Sequence, residues 1–360
     1  MIRFSDKQWD KVIDAYRKFW RSELGRPILP CVLYGADPGR ACPKNPPLSF
    51  ENVHDFSVTP EQVIDRADYE LSCLDFHGDA FPLMQTMQFG PGVMAAFLGA
   101  ELHNSRETVW FHPKKPVSIR DLHFEYDGGN PWLNRVKDIY AAGMKRWRGE
   151  VVLCMTDIGG MLDVTATFLT AEGLLYDLLD EPDEVKRVVS ELQGLWFVFF
   201  NEINDILKGA RGYSDWSTVF SEKPSYMLQS DFSFMLGPDL FKEHVSGELR
   251  SSAARLENPF YHLDGIGELT HLDELLRIEE IKGIQWVPGE GEPRGRDWSG
   301  VYRKIGAAGK KLQVYYGFEE AFDDVLRVLP RSDQLIKTQM PYPISQKDRI
   351  LARLKQFGAE

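Results

Sequence analysis

Residues 259–287 read PFYHLDGIGELTHLDELLRIEEIKGIQWV, and this stretch decides the fold class. It begins with a short apolar run at 259–263, continues with a helical pattern at 270–279 and ends with a second apolar run at 283–287. A strand, a helix and a strand in this order are typical of a βαβ unit, whose two strands pair in parallel. The stretch therefore predicts an α/β protein.

The same alternation continues on both sides of this stretch. Further strand-like runs lie at 27–34, within 76–100, and at 151–157, 226–229, 311–316 and 334–338, with helical patterns at 6–24, 60–73, 130–148, 182–208, 238–256, 297–308, 318–328 and 344–357. About eight strands, with no Gly-x-Gly-x-x-Gly after the first, favour a closed (β/α)8 barrel of the TIM type over an open dinucleotide-binding sheet. We predict one domain over 1–360, with an N-terminal helical extension at 1–26 and an insertion at 101–128 before the third strand.

Charge and cysteine usage limit the partners. The net charge of −12 over 360 residues argues against a nucleic-acid footprint and against attraction to an anionic membrane surface. No apolar run approaches the ~20 residues that a membrane span needs. The four cysteines, Cys31, Cys42, Cys73 and Cys154, show no Cys-x-x-Cys spacing, which indicates reduced thiols in a cytoplasmic protein. The sequence leaves open whether the chain forms a homodimer.

Acidic residues follow several predicted strands. Asp79, Asp157, Asp231, Asp264 and Glu290 all lie where a strand gives way to a loop, which is where barrel enzymes carry their chemistry. Crowded carboxylates repel each other, so some should have raised pKa values and serve as acids or bases. We expect Asp79, Asp157 and Asp231 to be catalytic. The alternatives are that a metal or a cationic substrate neutralises the acids, or that each Asp only caps a helix.

His262-Leu263-Asp264 is the sharpest local feature. Alternate residues of a strand point to the same side, so His262 and Asp264 are predicted to grip one metal ion or one substrate. A His and a carboxylate suit zinc or another borderline ion, and Glu290 is the candidate third ligand, with Asp231 or water as the other available oxygen donors. The structural alternative is a His oriented by a backbone partner beside a capping Asp.

Several segments together resemble the uroporphyrinogen decarboxylase superfamily. The similar segments, in chain order, are residues 157–163 (DIGGMLD), 172–175 (EGLL), 180–185 (DEPDEV), 229–232 (QSDF), 237–241 (GPDLF), 261–265 (YHLDG), 283–289 (GIQWVPG) and 308–310 (AGK). The resemblance covers roughly residues 60–345, and its order and spacing are more specific than any one segment. It implies a (β/α)8 barrel and an activity like that of the haem-pathway decarboxylase or of zinc-dependent methyltransferases that work with corrinoid proteins.

The decarboxylase branch matches poorly in detail. Its first loop carries an Arg-rich motif for the carboxylates of a tetrapyrrole, and here residues 36–40 read ADPGR, so that Ala36 replaces the first Arg and Arg40 matches the last. Its essential Asp falls on Asp79. Its pocket Tyr falls near Phe168-Leu169 and its C-terminal His near Gln339-Met340, and both are missing.

The methyltransferase branch matches better. It binds zinc through His-x-Cys and a later Cys, whereas here the pair reads His262 and Asp264 and no Cys follows Cys154. Such a site would be harder than a thiolate site and would suit an oxygen or nitrogen substrate.

The expected function is thus methyl transfer on a small molecule, linked to a corrinoid that only a partner protein carries. Arg40, Asp163, Trp286 and Tyr316 are the candidate substrate-binding residues. Decarboxylation of a small carboxylate other than uroporphyrinogen is the alternative activity, and a barrel that only binds a small molecule is the non-catalytic alternative.

Overall fold

The computed structural model describes residues 1–289, 291–292, 297–315 and 322–360. The strands are β1 (Pro30–Tyr34), β2 (Leu74–Gly78), β3 (Leu83–Met84), β4 (Glu101–Asn104), β5 (Val109–His112), β6 (Val152–Leu153), β7 (Met227–Leu228), β8 (Phe260–Asp264), β9 (Gly283–Val287), β10 (Lys311–Val314), β11 (Leu335–Lys337) and β12 (Met340–Pro343).

The helices are α1 (Asp6–Trp20), α2 (Pro60–Ser72), α3 (Met94–Phe97), α4 (Pro131–Trp147), α5 (Met161–Leu169), α6 (Ala171–Asp180), α7 (Pro182–Ile206), α8 (Pro238–His244), α9 (Ser246–Ala253), α10 (Leu272–Arg277), α11 (Ser299–Ala307), α12 (Phe322–Val328) and α13 (Lys347–Gln356). None of the described helices is long and apolar enough to cross a membrane.

A five-stranded parallel sheet forms the middle of the molecule. Its strand order is β11-β10-β9-β8-β7, and a helix follows β8, β9 and β10 before the next strand begins. The βαβ prediction for 259–287 is confirmed, and β9 has the predicted bounds. Because His262 is paired with Gln285, and Gln285 with Gln313, these three side chains form one row on one face of the sheet.

The remaining strands form smaller sheets. β3 pairs with β6 in parallel, β12-β1-β2 form a three-stranded sheet and β4-β5 form an antiparallel hairpin. Single bridges join Met155 to Asp215 and Ile28 to Ile336. The predicted single closed ladder of eight strands is therefore not observed in the described part of the chain, because β3, β6 and β7 are only two residues long and β2 runs antiparallel to β1.

Helix α1 covers the N-terminal ends of the parallel strands. Ser5 and Gln8 form a capping box that starts the helix where the sequence predicts it. Its rings contact aromatic residues at or before strand starts: the buried Trp9 lies 6.2 Å from Phe81 and the partly buried Trp20 lies 5.7 Å from Phe260, ring centre to ring centre. With this end filled by side chains, the C-terminal ends of the strands remain as the place for a site.

Candidate active site

Acidic side chains converge at the C-terminal ends of β6, β7 and β8. Asp157 follows β6, Asp231 follows β7 and Asp264 ends β8. Asp163 lies in the first turn of α5, and Glu268 lies in the short 3-10 helix Ile266–His271. Among the described Lys and Arg residues, none forms an ion pair with these five acids, so they affect one another's protonation directly.

Asp157 is held by three donors. The Gly159 amide donates to its Oδ1 (2.9 Å), as does the Tyr226 hydroxyl (3.3 Å), and the Gln229 amide donates to its Oδ2 (3.4 Å). Burial raises the pKa of Asp157 to about 6, and the charge of Asp231 adds to this, although the hydrogen bonds act in the opposite direction. Asp157 therefore titrates close to neutral pH, as a group that exchanges protons should.

Asp163 ties helix α5 to the loop after β7. Its carboxylate accepts hydrogen bonds from the backbone amides of Phe232 (2.7 Å) and Asp231 (3.2 Å). Burial and the charge of Asp231 raise the pKa of Asp163 to about 8. Burial also raises the pKa of Asp231, which His262 partly offsets and Asp264 reinforces. The two acids are thus neighbours that cannot both lose their protons easily.

Two glycines allow these acids to meet. Gly159 has φ +84° and a Cβ there would lie 2.7 Å from the Cα of Gly92. A Cβ at Gly160 would overlap the backbone oxygen of Gln229 and lie 2.5 Å from Oδ2 of Asp163. Only glycine permits these two close approaches, of Gly159 to Gly92 and of Gly160 to Gln229 in the loop after β7.

His262 and Asp264 lie on the same side of β8, as predicted. Nε2 of His262 is 3.8 Å from Oδ2 of Asp264, and the His262 ring meets the edge of Trp216 with ring centres 5.1 Å apart. Burial by itself lowers the pKa of His262, but the neighbouring Asp264 and the charge of Asp231 outweigh it, so the pKa of His262 is raised.

A chain of amides fixes the tautomer of His262. The backbone oxygen of Ser217 can only accept, so the bond of 2.7 Å from Gln313 orients the Gln313 amide with its nitrogen toward Ser217. Oε1 of Gln313 then accepts from Nε2 of Gln285 (2.7 Å), which leaves Oε1 of Gln285 to face Nδ1 of His262. Nδ1 must therefore carry the proton, and in the neutral ring the lone pair is on Nε2, beside Asp264.

Three residues of this site were not predicted from the sequence. Gln285 and Gln313 are fully buried, and their signal was a lone Gln in the middle of each apolar run, in GIQWV and KLQV. Glu268 is also fully buried, and burial, followed by the charges of Asp231, Asp163 and Asp264, raises its pKa to about 10. Its local sequence, GIGEL, carried no signal.

A cavity of about 500 Å³ opens beside these acids. Asp163, Asp231 and Gln229 contribute polar groups to it, and α5 contributes one wall. The opposite wall comes from the hairpin β4–β5 through Val109, Trp110, Phe111 and His112. The arrangement combines acids that hold protons near neutral pH with aromatic walls, which suits a small molecule handled by acid–base chemistry.

Among the described residues, the predicted zinc site has two ligands and no third. Catalytic zinc needs three protein ligands, and His262 with Asp264 supplies two. The candidate Glu290 lies outside the described residues. Within the described ranges, no group of three or more His, Cys, Asp or Glu side chains is arranged to hold a metal ion. The described residues therefore do not by themselves fit zinc.

Asp79 lies apart from the other acids. It precedes β3, at the end of the strands that α1 covers, and it is fully buried in a two-pronged ion pair with Arg26 (2.6 and 2.8 Å). It also accepts from the Leu29 amide (2.8 Å). This corrects the expectation that Asp79 joins the acids at the strand ends: its contacts are those of a residue that fixes the fold.

The remaining predicted binding residues also lie elsewhere. Arg40 forms ion pairs with Asp65 (3.1 Å) and Asp68 (3.2 Å) beside α2 and does not line the cavity. Trp286 points to the opposite face from Gln285 and packs on Trp298 with ring centres 5.2 Å apart. Tyr316 lies outside the described residues. Asp163 is the one described member of the predicted binding set that lines the cavity.

Comparisons with known proteins bear on the fold. No protein-family model matches the chain, and no curated protein matches it. Among solved structures, a methyltransferase from Methanosarcina mazei superposes with a TM-score of 0.53 over 86% of this chain and 88% of that chain, at 12% sequence identity. The chain is thus an α/β protein that shares its fold with this methyltransferase.

Proposed function

We propose that this chain is an enzyme that transfers a methyl group to or from a small molecule bound in the acidic cavity. The observation that carries the proposal is the position of the cavity, at the C-terminal ends of parallel strands in a chain that shares its fold with a methyltransferase. Active sites of α/β proteins form at these ends. The cluster of acids with raised pKa values favours catalysis over binding alone.

Protons are the contribution of this chain's own residues. When a methyl group leaves an oxygen or sulfur atom, the electron pair of the broken bond stays on that atom, which then takes a proton. Asp163 holds its proton near neutral pH and lines the cavity, so it is the donor. Asp157 and His262, each with a shifted pKa, supply or accept protons behind it.

The other substrate is the corrinoid of a partner protein, which supplies a cobalt centre for the methyl group when it is bound. Trp110 and Met235 line the cavity with 63% and 45% of their surface exposed, and Phe234, which precedes Met235 in the chain, is 55% exposed. An exposed apolar rim of this kind fits a protein partner that covers the cavity. Zinc at His262, Asp264 and Glu290 stays a prediction that the metal content of the purified protein tests.

Decarboxylation of a small carboxylate has weaker support. A carboxylate substrate needs cationic partners, and the described residues that line the cavity include two Asp but neither Lys nor Arg.

A methyl-transfer assay with free cob(I)alamin tests the proposal. Donors with methyl groups on oxygen, sulfur and nitrogen are offered in parallel, and loss of the cob(I)alamin absorbance reports transfer. We expect at least one class to react, and Asp163→Asn and Asp231→Asn to slow the reaction tenfold or more. Asp205→Asn, on the exposed end of α7, is the control and should keep the full rate. No reaction with any class, or full rates in both cavity variants, would contradict the proposal.

A further inference from the structure

Three aromatic rings line the cavity. Trp110 and Phe111 of β5 line one side, and Phe232, in the 3-10 helix Asp231–Met235, lines the other. The faces of aromatic rings carry a partial negative charge and attract cations that have been stripped of water, quaternary ammonium groups among them.

The charged groups among the described lining residues are carboxylates. Asp163 and Asp231 both contribute to the cavity, and among the described lining residues there is no Lys or Arg. Among described Lys and Arg residues none pairs with either acid. Two imidazoles are nearby: His112 lines the cavity, and His262 interacts with Asp231 and Asp264. Burial, and then the charges of neighbouring acids, raise the pKa values of Asp163 and Asp231, and a positive charge in the cavity would offset both effects.

Gln229 provides an independent sign of a ligand. Its side chain lines the cavity and is 5% exposed. The amide nitrogen of Gln229 donates a hydrogen bond to Asp157 (3.4 Å). Its carbonyl oxygen, Oε1, has no hydrogen-bond partner among the described residues. A buried carbonyl oxygen without a donor is costly, so a ligand that offers an N–H or O–H would satisfy it.

We propose that the cavity binds a methylated ammonium ion, with the charge placed between Asp163, Asp231 and the rings of Trp110, Phe111 and Phe232, and with a neighbouring N–H or O–H of the ligand on Gln229. The inference deepens the proposed function, on which it rests, by naming the substrate class of the same cavity.

The substrate class also defines the methyl-transfer step. When a quaternary ammonium loses a methyl group, the C–N bond breaks and its electron pair stays on nitrogen, so the product is a tertiary amine. The amine then takes up a proton, as alkylamines do at neutral pH, and Asp163, which lines the cavity and holds a proton there, is the donor. The corrinoid named above, in its cobalt(I) form, would supply the electron pair that accepts the methyl group.

Calorimetric titration with choline and with its neutral carbon isostere, 3,3-dimethylbutan-1-ol, tests the inference. Both probes have the same shape and the same hydroxyl, so only the charge differs. We expect choline to bind at least tenfold more tightly. Asp231→Asn should weaken choline binding tenfold or more and leave the alcohol within twofold, whereas Asp205→Asn should change neither.

A second variant guards against a failure of Asp231→Asn to fold. Trp110 is exposed, so Trp110→Leu should leave the fold intact and should weaken choline binding more than binding of the alcohol. Equal affinity for the two probes, no choline binding, or choline binding that survives both substitutions would overturn the inference. Choline binding without methyl transfer from any donor would contradict the proposed function alone, and transfer from a neutral donor without a preference for choline would contradict this inference alone.

Discussion

At the scale of single residues, the tautomer of His262 depends on Gln285. In Gln285→Leu, Nδ1 of His262 loses its acceptor and Oε1 of Gln313 loses its donor, so we expect a mixture of tautomers and a loss of about 1–3 kcal/mol in the free energy of unfolding. Nitrogen NMR of the imidazole at alkaline pH distinguishes the tautomers. Gln334→Leu removes another buried amide, one bonded to Gly306 and Lys310, and should lower stability but leave the His262 signals unchanged. Unchanged signals in Gln285→Leu would refute the assignment.

Glu268 should make the folded chain sensitive to pH. Its pKa is raised to about 10 by burial and by neighbouring acids, so the folded chain keeps a proton that the unfolded chain gives up once the pH passes the ordinary Glu value. Stability therefore falls as pH rises, by up to about 1.4 kcal/mol per pH unit from this group. Glu268→Gln should flatten the slope in urea unfolding up to about pH 10. Glu248→Gln should flatten it only up to about pH 7, where its own raised pKa lies. If the free energy of unfolding of Glu268→Gln depends on pH as steeply as that of the unsubstituted protein, the prediction for Glu268 is wrong.

Asp79 should matter for stability and not for the cavity. Asp79→Asn leaves the Arg26 guanidinium, whose side chain is 15% exposed, without its counter-charge, and we expect a loss of about 3 kcal/mol in urea unfolding. Choline affinity should stay within twofold. Asp75→Asn breaks a more exposed pair with Arg3 and should cost less than about 1 kcal/mol. If the Asp79→Asn protein is stable but no longer binds choline, Asp79 belongs to the binding site and this prediction is wrong.

Some residues of the site could be predicted from the sequence, and others could not. Asp157, Asp231 and Asp264 follow strands that run in parallel, so position after a strand was enough to bring them together. The same rule failed for Asp79, because β2 runs antiparallel and its end lies at the opposite side of the sheet. Gln285 and Gln313 were not predicted, because the role of a polar side chain inside an apolar strand depends on its neighbours across the sheet. Glu268 was not predicted because it lies in a short 3-10 helix whose sequence carries no signal.

At the scale of elements, the hairpin β4–β5 forms one wall of the cavity. Gly90 supports it, because a Cβ at this position would overlap Val109 of β5. Gly90→Ala should therefore shift the hairpin and weaken choline binding several-fold by calorimetry. Gly99→Ala has nearly the same strained φ, +94° against +93°, but nothing within 4 Å of the added Cβ, so it should lose stability without losing affinity. Equal affinities in the two variants would show that the hairpin does not shape the cavity.

The elements differ in how well sequence predicted them. Strands with an apolar run between helices, such as β8 and β9, were predicted within a residue or two. The hairpin was not, because its strands are exposed on one face and carry His, Asn and Trp, so the segment 101–128 shows only a weak pattern. The predicted helix at 238–256 divides into α8 and α9 at Val245.

At the scale of the whole molecule, one end of the sheet is packed with side chains and the other end holds the cavity. Rings from α1 fill the N-terminal ends of the strands, where Asp79 and Arg26 also lie, and the acids and the cavity occupy the C-terminal ends. The alternation of strands and helices was enough to predict this polarity, because all parallel strands end on the same side. The same alternation was not enough to predict where the pairing between neighbouring strands is interrupted, because the interruptions occur at strands of only two residues.

A crystal structure of the protein grown with choline shows whether the acidic cavity binds a methylated ammonium ion. We expect density for the trimethylammonium group between Asp163 and Asp231, against the rings of Trp110 and Phe232, with the hydroxyl directed at Oε1 of Gln229. Choline bound elsewhere, for example beside Asp65 and Asp68 of α2, or a cavity left without choline at saturating concentration, would contradict it.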